Sequence, residues 1–165
     1  MLSAWWFKES SSIFPNHLLD TPDVSMALVK KAKRIDIEWV ARGYLYGSMQ
    51  REYARGERML YGYRLPNGLQ LAEKLPEVML TPTTKADSGH DMPTTKEEAI
   101  DRGVLKPHQW NELEEAVFKL YSFYTGKAGQ KGFIIPDFKL EFGFHDGDMI
   151  QIDEAPDHDS ARLWI

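Results

Sequence analysis

The sequence predicts an α+β domain, an antiparallel sheet packed with helices. Three observations carry this expectation. Residues 34–42 alternate, with Ile35, Ile37, Trp39 and Ala41 on one side and Arg34, Asp36, Glu38 and Arg42 on the other, Val40 being the exception. Residues 107–125 repeat Trp110, Leu113, Val117, Leu120, Tyr121 and Tyr124 at helical spacing. Two strand-like runs, 137–143 and 149–154, flank Asp146-Gly147, a dipeptide that accepts positive φ in a tight turn.

In chain order, the first residues mix aromatic and polar side chains until Pro15-Asn16 breaks them. Thr21-Pro22-Asp23 reads as a turn, and Ala27-Leu28-Val29 as a short strand before the alternating one. Residues 43–64 mix Gly, Tyr and Arg, with a short helix expected near 49–55. Residues 75–93 contain Pro76, Pro82, Pro93 and a polar centre, and read as a long loop. Such loops are functional or mere connectors, and the residues alone weigh the two equally. A helix starts near Thr94, where Thr94 with Glu97 or Thr95 with Glu98 can form a capping box. Pro107 opens the strongest helix at a first-turn position, and Gly126 and Gly129 are stop signals. Its aromatic stripe is core rather than a cofactor site.

Composition excludes several chemistries. The 165 residues suit one domain and include no Cys, which rules out disulfides, Cys-ligated zinc, Fe–S clusters and thiol nucleophiles. Lys+Arg number 20 against 25 Asp+Glu, so the net charge is −5, which disfavours nucleic acid as a partner. A small anionic ligand held by a few local cations remains open. No run approaches the ~18–20 apolar residues of a membrane helix, and the first residues lack the basic region of a secretory signal. A cytoplasmic protein without membrane partners is expected.

Asp137, Lys139 and Glu141 share one strand face, opposite Phe138, Leu140 and Phe142. Two carboxylates flanking a lysine can hold a divalent cation beside an anionic group, with Asp153-Glu154 on the return strand completing the set. The residues alone fit a salt-bridged polar face as well or better. Register separates the two readings. A two-residue turn at Asp146-Gly147 places Glu141 opposite Ile152 and Asp153 on the other face, so a Glu141–Asp153 metal site requires an irregular hairpin. Arg42 with Gly47-Ser48 suits phosphate, although an N-cap serine after a glycine turn explains the pair more simply. Adjacency within Lys85…Asp87-Ser88-Gly89-His90-Asp91 defines no catalytic triad, and no GxGxxG or Walker pattern occurs.

Together the segments resemble the SAICAR synthetase family of purine biosynthesis. The resemblance rests on Ser3-Ala4-Trp5-Trp6-Phe7 with Pro15-Asn16-His17-Leu18, on residues 37–48 (Ile-Glu-Trp-Val-Ala-Arg-Gly-Tyr-Leu-Tyr-Gly-Ser), and on Lys74-Leu75-Pro76-Glu77. It continues through residues 81–91 (Thr-Pro-Thr-Thr-Lys-Ala-Asp-Ser-Gly-His-Asp), residues 137–143 (Asp-Phe-Lys-Leu-Glu-Phe-Gly), and Asp153-Glu154 to Asp159-Ser160-Ala161-Arg162-Leu163-Trp164. Ala161 stands where a second serine is common in the family, and Pro136 precedes the acidic residue of the strand.

The resemblance implies a single partial unit over residues 1–165, the central ATP- and CAIR-binding part of a longer ligase. It implies that the N-terminal ATP-covering lobe and the C-terminal helices of the family are missing. The implied reaction joins L-aspartate to the carboxylate of CAIR, the carboxylated aminoimidazole ribotide, with ATP and Mg²⁺. Glu141 and Asp153 resemble the Mg²⁺–ATP carboxylates. Arg42, Ser48 and Arg162 resemble the grip on the ribotide phosphate. Lys85 resembles a nucleotide-side lysine, and Lys139 a group that neutralises reacting charge. Ser88, Gly89, His90 and Asp91 resemble a substrate loop, and Asp137 an imidazole contact. A homo-oligomer with little or no ligase activity is expected of the chain alone. The alternatives are a folded fragment that binds ribotide or nucleotide without turnover, and a small-molecule kinase, whose basic substrate surface a net charge of −5 does not support.

Overall fold

The computed structural model describes residues 2–85 and 92–165. Helix α1 (Leu2–Ser10) leads into a separate two-stranded sheet, β1 (Leu18–Asp23) with β2 (Met26–Val29). Strand β3 (Lys33–Tyr44) follows, then helix α2 (Gly47–Ala54) and a small hairpin of β4 (Met59–Leu60) and β5 (Tyr63–Arg64). Strands β6 (Lys74–Leu80) and β7 (Thr83–Thr84) precede helices α3 (Lys96–Asp101) and α4 (Pro107–Gly129). Strands β8 (Asp137–His145) and β9 (Asp148–Ile152) close the main sheet. Its order is β6-β3-β8-β9, with β7 also on β3, and each pairing is antiparallel.

This is the expected α+β architecture, built around the expected strand and helix. Ile35, Ile37, Trp39 and Ala41 of β3, with Phe138, Leu140 and Phe142 of β8, pack on Trp110, Leu113, Val117, Leu120 and Tyr124 of α4. The Trp39 and Trp110 rings lie 4.7 Å apart at their centroids. Thr95 rather than Thr94 forms the capping box of α3, accepting from Glu98 N at 3.2 Å while Glu98 Oε2 accepts from Thr95 N at 2.9 Å. Helix α4 runs through Gly126 and ends at Gly129.

Three segments differ from the sequence expectation. The N-terminal stretch is helical, because Trp6, Phe7 and Ser10 are buried against the core. The Tyr124 hydroxyl lies 3.0 Å from Ser10 Oγ and 3.3 Å from Gln151 Oε1, joining α1, α4 and β9. Packing of this kind sustains a helix too short to persist alone. Thr21-Pro22-Asp23 lies within β1, and the turn falls at residues 24–25. The expected long loop begins as strand β6, on the sheet edge, where Pro76 is tolerated.

Gly43 sits where the core admits no side chain. An added Cβ would collide with the Tyr121 hydroxyl, which is itself buried and lies 3.2 Å from the Ile135 carbonyl it donates to. Gly43→Ala should therefore destabilise the fold by about 1–3 kcal/mol. Pairing it with Tyr121→Phe, which removes the clashing oxygen, should recover part of that loss, so the double variant should be more stable than the sum of the singles. Urea unfolding of the four proteins measures this.

Candidate functional site

Two charged clusters share the sheet face turned away from α4. They follow from register. Across β3 and β8, Glu38 pairs Glu141, Val40 pairs Lys139 and Arg42 pairs Asp137. Directly paired residues point to the same face, so all six crowd one surface. The other edge of β3 carries Thr83 opposite Glu38 and Met79 opposite Arg42. Thr81, between them, donates its backbone N–H to the Val40 carbonyl at 2.8 Å. Where β9 leaves the edge of β8 free, residues 160–162 take it: Lys139 N donates to Ser160 O at 3.0 Å and Arg162 N to Asp137 O at 3.3 Å. That pairing brings Arg162 beside Asp137 despite their separation in sequence.

The first cluster is built on two arginines. Asp137 Oδ2 accepts from Arg42 Nη1 at 3.0 Å and from Arg162 Nη1. Arg42 Nη2 donates to Ser48 Oγ at 3.3 Å and Arg42 Nε to Thr81 Oγ1 at 3.0 Å. Arg162 also lies over the Tyr46 ring, 5.2 Å from its centroid. Gly47, at φ 63°, leaves room for it, since a Cβ there would approach Arg162 Nη2 to 2.9 Å. Burial pulls the Arg42 guanidinium below its usual value against the opposing charge of Asp137, yet an arginine stays charged. Two guanidinium charges against one carboxylate leave a net positive centre. Arg42, Ser48, Asp137 and Arg162 line a cavity of about 400 Å³ that also meets Lys139. Arg42, Ser48, Arg162 and Asp137 are thus brought together.

The second cluster is acidic. Glu38, Glu141 and Glu154 bring carboxylate oxygens within 4.8 Å of one another. Lys139 Nζ lies 2.9 Å from Glu38 Oε1, and Lys85 pairs with Glu141. Burial pulls the Lys85 ammonium down, but its bond to Glu141, with Glu38 and Glu154 near, holds it above its usual value. Burial, then Asp153 and Glu141, pushes Glu154 up. Three carboxylates against two lysines leave an excess negative charge, and all donors are hard oxygens, which suits Mg²⁺. Glu154 also lines a cavity of about 480 Å³ between α1, the β1–β2 sheet and residues 153–159.

The hairpin corrects one expectation. Every pair from Glu141–Ile152 to His145–Asp148 is in regular register, with Asp146 at φ 52° and Gly147 at φ 94° in the turn. The irregularity that a shared Glu141–Asp153 site requires is absent. Asp153, at φ 46°, follows the end of β9 and lies outside the carboxylate cluster, while Glu154, the next residue, enters it. Glu38 and Thr81 are further members that sequence reading missed. The signal for Glu38 was its place on the charged face of the alternating strand, but only strand pairing sets it against Glu141. Ser88, Gly89, His90 and Asp91 lie outside the described residues.

The chain as a whole is similar to known proteins. A family model described as SAICAR synthetase matches residues 1–165. A phosphoribosylaminoimidazole-succinocarboxamide synthase from Legionella pneumophila (strain Paris) is 38% identical over 170 residues, covering 100% of this chain and 54% of the relative. A chloroplastic synthase from Vigna aconitifolia is 38% identical over 168 residues, covering 99% and 49%. The chain spans about half the length of the curated relatives it matches. Among solved structures, a SAICAR synthase from Saccharomyces cerevisiae complexed with SAICAR aligns at TM-score 0.81 and 32% identity, covering 99% of this chain and 60% of that one. A SAICAR synthetase in complex with ADP aligns at TM-score 0.82 and 27% identity, covering 99% and 64%.

The raised Glu154 carboxyl makes stability depend on pH in a defined direction. A folded-state value above the ordinary 4.5 means that the fold favours the protonated acid. Its contribution is full below about pH 4.5 and is lost as pH rises through the folded value. Glu154→Gln should therefore raise the Tm relative to the parent at pH 7.5 in the presence of chelator, with the advantage vanishing near pH 4. Millimolar Mg²⁺ should stabilise the parent more than the variant. Thermal melts over this pH range measure both effects.

Proposed function

The chain belongs to the SAICAR synthetase family, and on that premise we propose that it carries the nucleotide- and ribotide-binding part of an ATP-dependent ligase joining L-aspartate to CAIR. The observation that carries this reading is the order of groups on one sheet face. A phosphate-type site at Arg42, Ser48 and Arg162 adjoins Lys139, which adjoins the carboxylates of Glu38, Glu141 and Glu154. Asp137 and Glu141 are four residues apart on β8, about 13 Å at the rise of an extended strand. One end suits a sugar phosphate and the other a metal-bound nucleotide.

In this proposal the ribotide phosphate sits in the cavity of Arg42 and Arg162, and the nucleotide enters the cavity lined by Glu154. Glu141 and Glu154, with Glu38 beside them, would hold Mg²⁺, and Asp153 stands at the nucleotide side. The ion, when bound, neutralises phosphate charge. A carboxylate is a poor electrophile, so the CAIR carboxylate oxygen takes the γ-phosphoryl group of ATP, releasing ADP. The aspartate amine then forms the C–N bond as phosphate leaves. Lys139 and Lys85 supply positive charge beside the reacting oxygens, and catalysis rests mainly on positioning and charge neutralisation. Asp137 and residues 88–91 remain proposed substrate contacts, and the cytoplasm the proposed compartment. Among the described residues, no helix is long and apolar enough to cross a membrane. Exposed Leu19, Val24, Met26 and Leu28 of the β1–β2 unit support the proposed homo-oligomer.

Two measurements test the reading. Calorimetry should show CAIR binding to the chain, weakened about tenfold or more by Arg42→Lys, because lysine keeps the charge but not the planar fork. A coupled assay should show little ADP release even with CAIR and L-aspartate present, since half the length of the relatives offers less enclosure of the nucleotide phosphates. Absence of CAIR binding would overturn the ribotide assignment, and rapid turnover dependent on both substrates would overturn the expectation of weak activity.

A further inference from the structure

Thr81 is buried outright, at 0% exposure, although it carries a hydroxyl and lies at the sheet edge between β6 and β7. Its hydrogen-bonding is committed. The hydroxyl proton goes to the Val40 carbonyl at 3.2 Å, and the backbone N–H goes to the same oxygen at 2.8 Å. With its donor so used, Oγ1 presents a lone pair in a fixed direction, and Arg42 Nε lies there at 3.0 Å. The Arg42 side chain is 12% exposed. It is held by three groups from separate parts of the chain: Thr81 just after β6, Asp137 on β8 and Ser48 on α2. Asp137 and Ser48 border the anion cavity, where an arriving ligand would meet them. Thr81 is not among the groups lining that cavity and is fixed by the backbone.

We propose that Thr81 is a positioning residue for Arg42, holding the Nε edge of the guanidinium so that the Nη groups face the anion cavity. The proposal rests on the reading of Arg42 as a phosphate ligand. Thr81 touches no substrate itself. Its effect is geometric and leaves the charge of the site unchanged. Thr81→Val keeps the shape but strands a buried charged donor, whereas Thr81→Ser keeps the acceptor.

The test is calorimetric titration of the 165-residue chain with ribose 5-phosphate, comparing the parent, Thr81→Val, Thr81→Ser and Arg42→Lys. Thr81→Val should weaken binding about tenfold, and Thr81→Ser should restore it to within about twofold. The salt dependence should match the parent in both Thr81 variants, because no charge is altered. A merely structural threonine would lower the Tm and leave affinity unchanged, and that result overturns the proposal. A second measurement needs no folded Thr81→Val. In the parent, the Arg42 Nε–H resonance should be protected from solvent exchange and nearly unmoved by saturating ribose 5-phosphate, since Nε–H keeps donating to Thr81 Oγ1. A large shift on binding means that Nε–H turns to the ligand, and also overturns the proposal. If the parent binds no ribose 5-phosphate, the phosphate reading of Arg42 falls first and the role of Thr81 with it. If the parent binds and Arg42→Lys weakens it while Thr81→Val does not, only the Thr81 proposal fails.

Discussion

The pairing of β3 with β8 sets two carboxylates, Glu38 and Glu141, directly opposite one another at 6% and 2% exposure. Like charges so placed repel, and taking either out of water costs several kcal/mol. The arrangement persists because Lys139 and Lys85 each pair with one of them, and because the other face of the same strands leaves no alternative. A one-residue slip of β8 along β3 would turn Asp137, Lys139 and Glu141 onto α4 and expel Phe138, Leu140 and Phe142 into the site. The apolar core against α4 therefore fixes the register, and the register builds the charged face.

The same logic accounts for the neighbouring arginine cluster. Arg42 and Asp137 are a cross-strand pair two rows from the two glutamates, so both clusters belong to one rigid surface. Arg162 arrives by a separate route, through the backbone pairing of residues 160–162 along the free edge of β8. Ser48 comes from the first turn of α2, which packs through Met49 and Tyr53 on Met79 and Leu75 of β6. A site assembled from four parts of the chain on a sheet is held more rigidly than one on loops alone, which suits chemistry that depends on positioning.

Charge balance differs between the two clusters in a way that matters. Around Asp137 the excess is positive, and around Glu141 it is negative. Lys139 stands between them, two residues from each on β8 and paired across to Glu38. Neither cluster is neutral as it stands, so each is complementary to a ligand of opposite charge. The raised carboxyl of Glu154 expresses the same imbalance, because burial beside Asp153 and Glu141 disfavours one more negative charge.

The alternation of residues 34–42, the apolar stripe of 107–125 and the Asp146-Gly147 turn determined the central strand, the main helix and the hairpin, because each is a local periodicity or local backbone preference. The strand face carrying Asp137, Lys139 and Glu141 was legible for the same reason, as was the family through the order of its segments. Helix α1 and strand β6 were not legible. Trp6 and Phe7 help to make a helix only where the core receives them, and Pro76 is compatible with a strand only at an edge. The members of the site divided along the same line. Residues on one strand could be grouped from sequence, but the partners across it could not. Tertiary structure alone set Glu38 against Glu141, brought Glu154 rather than Asp153 into the cluster, and placed Thr81 behind Arg42. Those choices depend on inter-strand register and on the chain reversal at Asp153, and register is enforced by packing between segments far apart in the chain, which no local pattern encodes.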